Sequence, residues 1–360
     1  MAEPQSLDDE ERTWTGSTGE SHAGSRGLRA QLIVSNRYRI GALLGAGGMG
    51  LVYEAEHIGL GLSVALKVLR PELIEREGMV ARFRQEARCT ATLSGEHIVR
   101  VLDEGRLETG LPFFIMERLH GLDLRAVLQA CSSLPVRILV DYARQTCAAL
   151  AEAHAAGIIH RDVKPSNLFV TSQGGTRSRI KLLDFGIAQR AASNETGERL
   201  GTSSYASPEH LAAPDQIDAS SDLWSLGIVM FEALTGALPV AAGWFGRRRL
   251  DLRPLDARRD VPDRLRLVIR RCLTEDKSKR FLSAADLARE LEPFAVGERA
   301  EPASPALHRR RVPTERRCGR DRFGQRAGLG RDALVLRAFH PPRRARMRPR
   351  PTPHGSIHRA

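Results

Sequence analysis

Lysine is almost missing from this chain. Only five of the 55 cationic residues are Lys (Lys67, Lys164, Lys181, Lys277 and Lys279), and the rest are Arg. Against that background a lysine at a motif position stands out, because a compact ammonium does chemistry that a guanidinium fork does not. Cysteine is sparse too. Cys89, Cys131, Cys147, Cys272 and Cys318 are odd in number, scattered, and form no CxxC pair, which argues against a disulfide framework or a cysteine-based zinc site and fits a reducing compartment. No basic region followed by an apolar run opens the chain, so no signal peptide is read there. Long apolar runs are missing as well: the most apolar stretch, Leu223 to Val240, is interrupted by Glu232 and ends in Gly-Ala-Leu-Pro, which favours a buried helix over a membrane span. No internal repeat is apparent. These absences point to a cytoplasmic protein without membrane contact. With 42% hydrophobic and 27% charged residues in a 360-residue chain, the composition is that of a globular protein with ample core.

The net charge of +12 is confined to one end. Residues Gly297 to Ala360 hold seventeen Arg and no Lys against five acids, which accounts for the whole excess and leaves the first 296 residues neutral. Arg, Pro, Gly and His dominate this tail and periodicity is lost, so a solvated, disordered extension is the plainest reading. An Arg-rich tail could instead bind nucleic acid or an acidic surface. GC-rich DNA translated in an unintended frame would give the same composition.

Residues 1–36 are polar and Gly/Ser-rich, begin with the acidic run Asp8-Asp9-Glu10-Glu11, and read as a flexible arm. From Tyr38 the pattern changes to three successive strands, around Tyr38–Leu44, Leu51–Glu56 and Ser63–Leu69, separated by glycine-rich turns. Val80, Phe83, Ala87 and Ala91 fall at helical spacing, and strands follow around Ile98–Glu104 and Phe113–Glu117. Beyond Gly121 the chain turns helical. Val140, Ala143, Cys147, Leu150 and His154 form a stripe ending at Gly157, two short strands (Leu168–Thr171, Ile180–Leu183) flank Gly174-Gly175, and helices fit Ser220–Leu234, Asp263–Leu273 and Ser283–Leu291. A strand-rich half followed by a helix-rich half predicts an α+β arrangement of two lobes.

Four motifs carry chemistry. Gly45-Ala46-Gly47-Gly48-Met49-Gly50-Leu51-Val52 lets backbone approach a polyphosphate without an intervening Cβ, although a plain glycine hairpin has the same composition. Val64-Ala65-Leu66-Lys67 follows one strand later and returns Lys67 beneath that turn, where an ammonium could bridge phosphates. Glu86, on the next helix, would pair with Lys67; by itself each residue also has a plain surface reading. His160-Arg161-Asp162-Val163-Lys164-Pro165-Ser166-Asn167 sits between a helix and a strand. There Asp162 can accept a hydroxyl proton, Asn167 can offer a neutral oxygen to a cation, and Lys164 can neutralise a transferring phosphoryl group. Asp184-Phe185-Gly186 places a carboxylate at a strand end, suited to a bridging cation.

In this order these residues resemble the eukaryotic-like serine/threonine protein kinases of bacteria, over roughly Tyr38 to Phe294. The resemblance implies a bilobal protein-kinase fold over 37–296, with an N-lobe to about 119 and a C-lobe from about 120, and the tail 297–360 outside it. It implies ATP and Mg²⁺ (Mn²⁺ as the alternative) between the lobes. The nucleotide would be lined by Gly45, Gly47, Gly50, Val52 and Ala65, with Met116 as gatekeeper, Glu117 and Leu119 presenting backbone to adenine, and Asp123 reaching the ribose. Lys67, Glu86, Asp162 and Lys164 would be catalytic, and Asn167 and Asp184 would hold the metal. Arg161 would sense phosphorylation between Asp184 and Glu209, where Ser193, Thr196, Thr202, Ser203 and Ser204 are the candidates. Glu209 would pair with Arg280, and Asp222 would anchor the catalytic loop. The substrates implied are Ser/Thr-bearing proteins, with self-association for autophosphorylation. The stretch from Leu238 to Pro262, including Trp244-Phe245-Gly246-Arg247-Arg248-Arg249, departs from the family pattern and is compressed. Two rival functions compete with this reading: a pseudokinase scaffold and a small-molecule phosphotransferase. The complete set of catalytic polar residues opposes the first, and the Gly201-Thr202…Ser207-Pro208-Glu209 platform opposes the second.

Overall fold

Alternation of apolar side chains along successive strands builds the N-terminal part of the protein. In the structure, a computed structural model that describes residues 28–171, 178–186, 203–241 and 249–295, these strands are β1 (Ile33–Val34), β2 (Tyr38–Ala46), β3 (Gly50–His57), β4 (Leu62–Leu69), β5 (Val101–Arg106) and β6 (Pro112–Glu117). They form one antiparallel sheet in the order β1-β2-β3-β4-β6-β5. Ile40, Tyr53, Leu66, Val68, Phe113 and Ile115 fill one side of it. On the other lies α1 (Met79–Ala91), whose Met79, Phe83 and Ala87 recur at helical spacing and pack with Leu69 and Phe114.

Of the arm expected over 1–36, only residues 28–36 are described, and these pack on the sheet. Leu28 N–H already donates to the Tyr53 hydroxyl at 2.8 Å, and Val34 is buried where β1 adds to the sheet edge. Two apolar residues suffice for an edge strand but are too short to give a period. The strand expected from Ile98 starts at Val101, because Ile98 instead makes an isolated parallel bridge to Leu182.

Below the sheet come β7 (Gly121–Asp123), α2 (Leu124–Cys131), α3 (Val136–Ala155), β8 (Leu168–Thr171) and β9 (Arg179–Leu182). The three strands pair antiparallel, β7-β8-β9. They are followed by α4 (Pro208–Ala212), α5 (Ala219–Thr235), the short pair β10 (Val240–Ala241) and β11 (Arg249–Leu250), α6 (Arg253–Asp256), α7 (Asp263–Cys272) and α8 (Ala284–Ala295). The expected apolar stretch is α5, buried from Ser221 to Phe231 without interruption, and it forms the axis of the lower lobe. It stops at Gly236, whose φ of 74° closes the helix while its N–H returns to Glu232 O. A side chain there would also strike Ser132 O. Glu232 is reconciled with its apolar surroundings by the Tyr205 hydroxyl, which donates to it at 2.6 Å. Among the described residues no helix is long and apolar enough to cross a membrane. The arm's first 27 residues, the Gly174-Gly175 turn, Ser193, Thr196, Thr202, the Trp244–Arg248 stretch and the basic tail lie outside the described residues.

Candidate active site

Sheet register puts the expected nucleotide residues on one face. Cross-strand partners share a face, and the pairs Gly45↔Val52, Val52↔Lys67 and Ala65↔Met116 run across four strands to link Gly45, Val52, Ala65, Lys67 and Met116. Gly50 packs against this row, since an added Cβ would lie 3.3 Å from Lys67 Cγ and 2.8 Å from Val68 O. At Gly45 and Gly47 the situation is reversed. Neither needs a left-handed φ, and an added Cβ would meet open space at Gly45 and nothing closer than 3.7 Å at Gly47. Folding does not require glycine at these two positions, whereas close approach by a ligand does. The Gly45–Gly50 turn therefore fits a phosphate-bearing molecule.

Lys67 is the centre of the site. Its ammonium donates to Glu86 Oε1 at 2.8 Å and to Asp184 Oδ1 at 2.7 Å, with the Phe114 ring 5.5 Å away. The Lys67 and Glu86 side chains are only 6% and 5% exposed, while Asp184 is 47% exposed and so faces open space. Burial alone would lower the lysine pKa, but Asp184 and then Glu86 raise it above its ordinary value, so the ammonium stays charged. Partial desolvation by the surrounding protein pushes the Asp184 carboxyl up, and the Lys67 charge more than offsets this, holding it below the usual carboxylate range. Glu86, the more enclosed of the two acids on Lys67, is pushed up to about 7 by burial against the pull of Lys67.

The loop after α3 supplies the second group. Lys164 Nζ lies 2.8 Å from Asp162 Oδ2, and Asn167 Nδ2 donates to Asp162 O at 2.8 Å and to Asp162 Oδ2 at 3.0 Å. That arrangement orients the Asn167 amide so that its carbonyl oxygen is the outward group, and no hydrogen bond from the described residues engages it. Leu183 N–H donates to Asn167 O at 2.9 Å, tying the loop to the strand end that bears Asp184. An amide oxygen and an ionised carboxylate are hard donors, so Asn167 and Asp184 fit a small divalent cation.

The loop itself is held from beneath. Asp222, fully buried on α5, accepts from the backbone N–H of His160 at 2.9 Å and of Arg161 at 2.7 Å, and from His154 Nε2 at 2.8 Å. Arg161 adopts φ 67°, an unfavourable value for a long side chain, and the carboxylate on its N–H stabilises it. His160 presents Nε2 to Leu183 O at 2.8 Å and Nδ1 to Asp162 N–H at 3.2 Å, a pattern that specifies the Nε2-protonated tautomer. Its ring packs 4.7 Å from Phe185, and Gly186 N–H donates to His160 O.

Asp123 caps α2 through Ala126 N–H at 2.8 Å. Leu119 lies in the link between β6 and β7, and neither residue has a described contact with the Lys67 cluster. Glu117 uses its side chain as a joint, accepting from Arg100 N–H at 2.8 Å and from Lys181 Nζ at 2.6 Å. Two of these residues were not singled out from sequence. His154 looked like one more member of an apolar helix stripe. Lys181 carried a usable signal, being one of only five lysines, but nothing local names its partner.

A family described as the protein kinase domain matches residues 38–290. Serine/threonine-protein kinase pkn3 of Myxococcus xanthus is 35% identical over 76% of this chain and 52% of its own length. Serine/threonine-protein kinase PknB of Mycobacterium leprae is 35% identical over 72% of this chain and 43% of its own length. Serine/threonine-protein kinase PknA of Mycobacterium tuberculosis is 34% identical over 88% and 76% respectively. The crystal structure of the Mycobacterium tuberculosis PknI kinase domain superposes with a TM-score of 0.60 at 30% identity, covering 75% of this chain and all of that one. The chain spans about half the length of pkn3 and PknB.

Proposed function

The chain belongs to the bacterial-type serine/threonine protein kinases, and from that premise we propose that it transfers the γ-phosphoryl group of ATP to serine and threonine hydroxyls of proteins. One observation carries the reading. A buried, charged Lys67 is clamped between Glu86 and Asp184, on a face continuous with a glycine turn that has room for a ligand. Lys67, braced by Glu86, aligns the phosphates; Met116 is the gatekeeper, the hinge backbone of Glu117 and Leu119 receives the adenine, and Asp123 the ribose. Asn167 and Asp184 hold Mg²⁺, or Mn²⁺ in its place, and such a cation supplies charge neutralisation on the phosphates. Asp162 holds the acceptor hydroxyl and takes its proton as the oxygen bonds to the γ-phosphorus and ADP leaves. Lys164, already 2.8 Å from Asp162, faces the charge that develops on the transferred group.

The folded domain in this reading runs to about residue 296, divides into lobes near residue 119, and includes residues 28–36. Protein substrates, self-association for autophosphorylation between Asp184 and Glu209, capture of the new phosphate by Arg161, and a cytoplasmic location where the free thiols of Cys89, Cys131, Cys147 and Cys272 persist complete the proposal. The test is transfer of labelled γ-phosphate to a generic basic protein. Asp162→Asn should lower the rate by about two orders of magnitude or more while the protein stays folded. Equal rates in the two proteins would remove Asp162 from its role.

A further inference from the structure

The glycine turn between β2 and β3 is held by a residue that does not belong to it. Arg70, directly after β4, donates from Nε to Gly47 O at 2.7 Å and from its backbone N–H to Met49 O at 3.0 Å. Gly47 N–H closes the turn on Gly50 O at 2.9 Å, and the Met49 side chain packs into the Leu69–Phe83 cluster under α1. Among the described residues Arg70 has no carboxylate partner, so its guanidinium is committed to a loop carbonyl and to no ion pair. An arginine in this arrangement acts on the turn's geometry.

The direction of that action follows from the peptide plane. Side chains alternate along β4, and Arg70 continues it with extended backbone (φ −60°, ψ 134°), so its side chain leaves the face shared by Leu66 and Val68, opposite to that of Lys67. In a trans peptide the carbonyl and the next N–H point in opposite directions. Drawing the Gly47 carbonyl to Arg70 turns the Gly48 N–H away from it, toward the side from which Lys67 projects. The Arg70 backbone bond to Met49 O continues the β3–β4 ladder and fixes the end of the turn where β3 begins. One backbone donor is thereby aimed at the face where the Gly45 and Gly47 positions leave space. A backbone N–H aimed into such a space is a donor for an anion.

We propose that Arg70 is a positioning residue, presetting the glycine turn so that the Gly48 N–H faces the nucleotide's phosphates before the nucleotide arrives. The proposal deepens the kinase reading and rests on it. Its test is direct binding of ATP and of adenosine, each with Mg²⁺, to the full chain carrying Arg70→Ala or Arg70→Lys. Loss of the bracket should weaken ATP binding roughly five- to tenfold, the worth of about one ordinary hydrogen bond, and leave adenosine binding within about twofold. Arg70→Lys, which keeps a charged donor but not the Nε geometry, should fall between the two. If Arg70→Ala melts early, the Lys variant carries the comparison by itself. Unchanged ATP affinity, or an equal loss for adenosine, would overturn the role of Arg70 while leaving the kinase reading intact. A wild-type chain that binds no ATP would instead remove the premise, and the proposal with it.

Discussion

Position matters at Lys67 as much as charge does. Two carboxylate oxygens converge at 2.7 and 2.8 Å on one nitrogen whose side chain is almost closed to water. An ammonium can donate to both from a single point, whereas a guanidinium spreads its donors over a plane and needs more room. Lys67→Arg should therefore lose about two orders of magnitude in phosphate transfer even though the charge is kept, since the misplaced cation no longer meets the phosphates where they are held. Steady-state transfer beside a thermal melt checks this. Near-normal activity in the arginine variant would mean that charge alone suffices. The scarcity of lysine made this residue legible before any geometry was known, because a lone ammonium in an arginine-rich chain has a chemical reason to be there.

At the scale of elements, the buried helix α5 reaches the chemistry through a single side chain. Asp222 satisfies two backbone N–H groups of the loop that bears Asp162 and orders His154. Asp222→Asn keeps one acceptor oxygen and introduces donors opposite donors. It should cost about 2–3 kcal/mol of stability by leaving a buried N–H without a partner, and lower kcat about tenfold with little change in ATP affinity, because the loop that holds Asp162 loosens while the upper sheet is untouched. Denaturant unfolding and kinetics test the two halves separately; a parallel loss of ATP affinity would contradict this division. The same scale explains what could be read in advance. Strands β2 to β4 and helices α3, α5, α7 and α8 announce themselves through periodicity, and the four chemical motifs through residue type and order. The two-residue β1 has no period, and His154 hides in an apolar stripe. The Arg70 bracket and the Lys181–Glu117 joint depend on carbonyl and carboxylate positions set by tertiary packing, which no local pattern contains.

For the whole molecule, the pair of Glu209 on α4 and Arg280 ahead of α8 joins segments 71 residues apart at distances of 2.7 and 2.9 Å. The Arg280 side chain is fully buried, lies 4.9 Å from the Trp224 ring and also donates to the carbonyls of Thr274, Ser220 and Glu275. Burial alone would raise the Glu209 pKa, but hydrogen bonds from Arg280 and Ser221 overcome it and lower the carboxyl to about 2. A carboxyl depressed on folding stabilises the native state fully above its unfolded pKa of about 4.5, and that contribution is lost as the pH falls toward about 2. Glu209→Gln leaves the buried guanidinium without its counter-charge and should cost about 3–5 kcal/mol at neutral pH. Urea midpoints taken between pH 6 and 3 should then fall more steeply below about 4.5 in the wild type than in the variant, narrowing the gap between them, because only the wild type has this proton to take up. Curves that stay parallel across that window would show that Glu209 does not titrate with folding, and that the lower lobe is held together there by packing around Trp224 and Arg280.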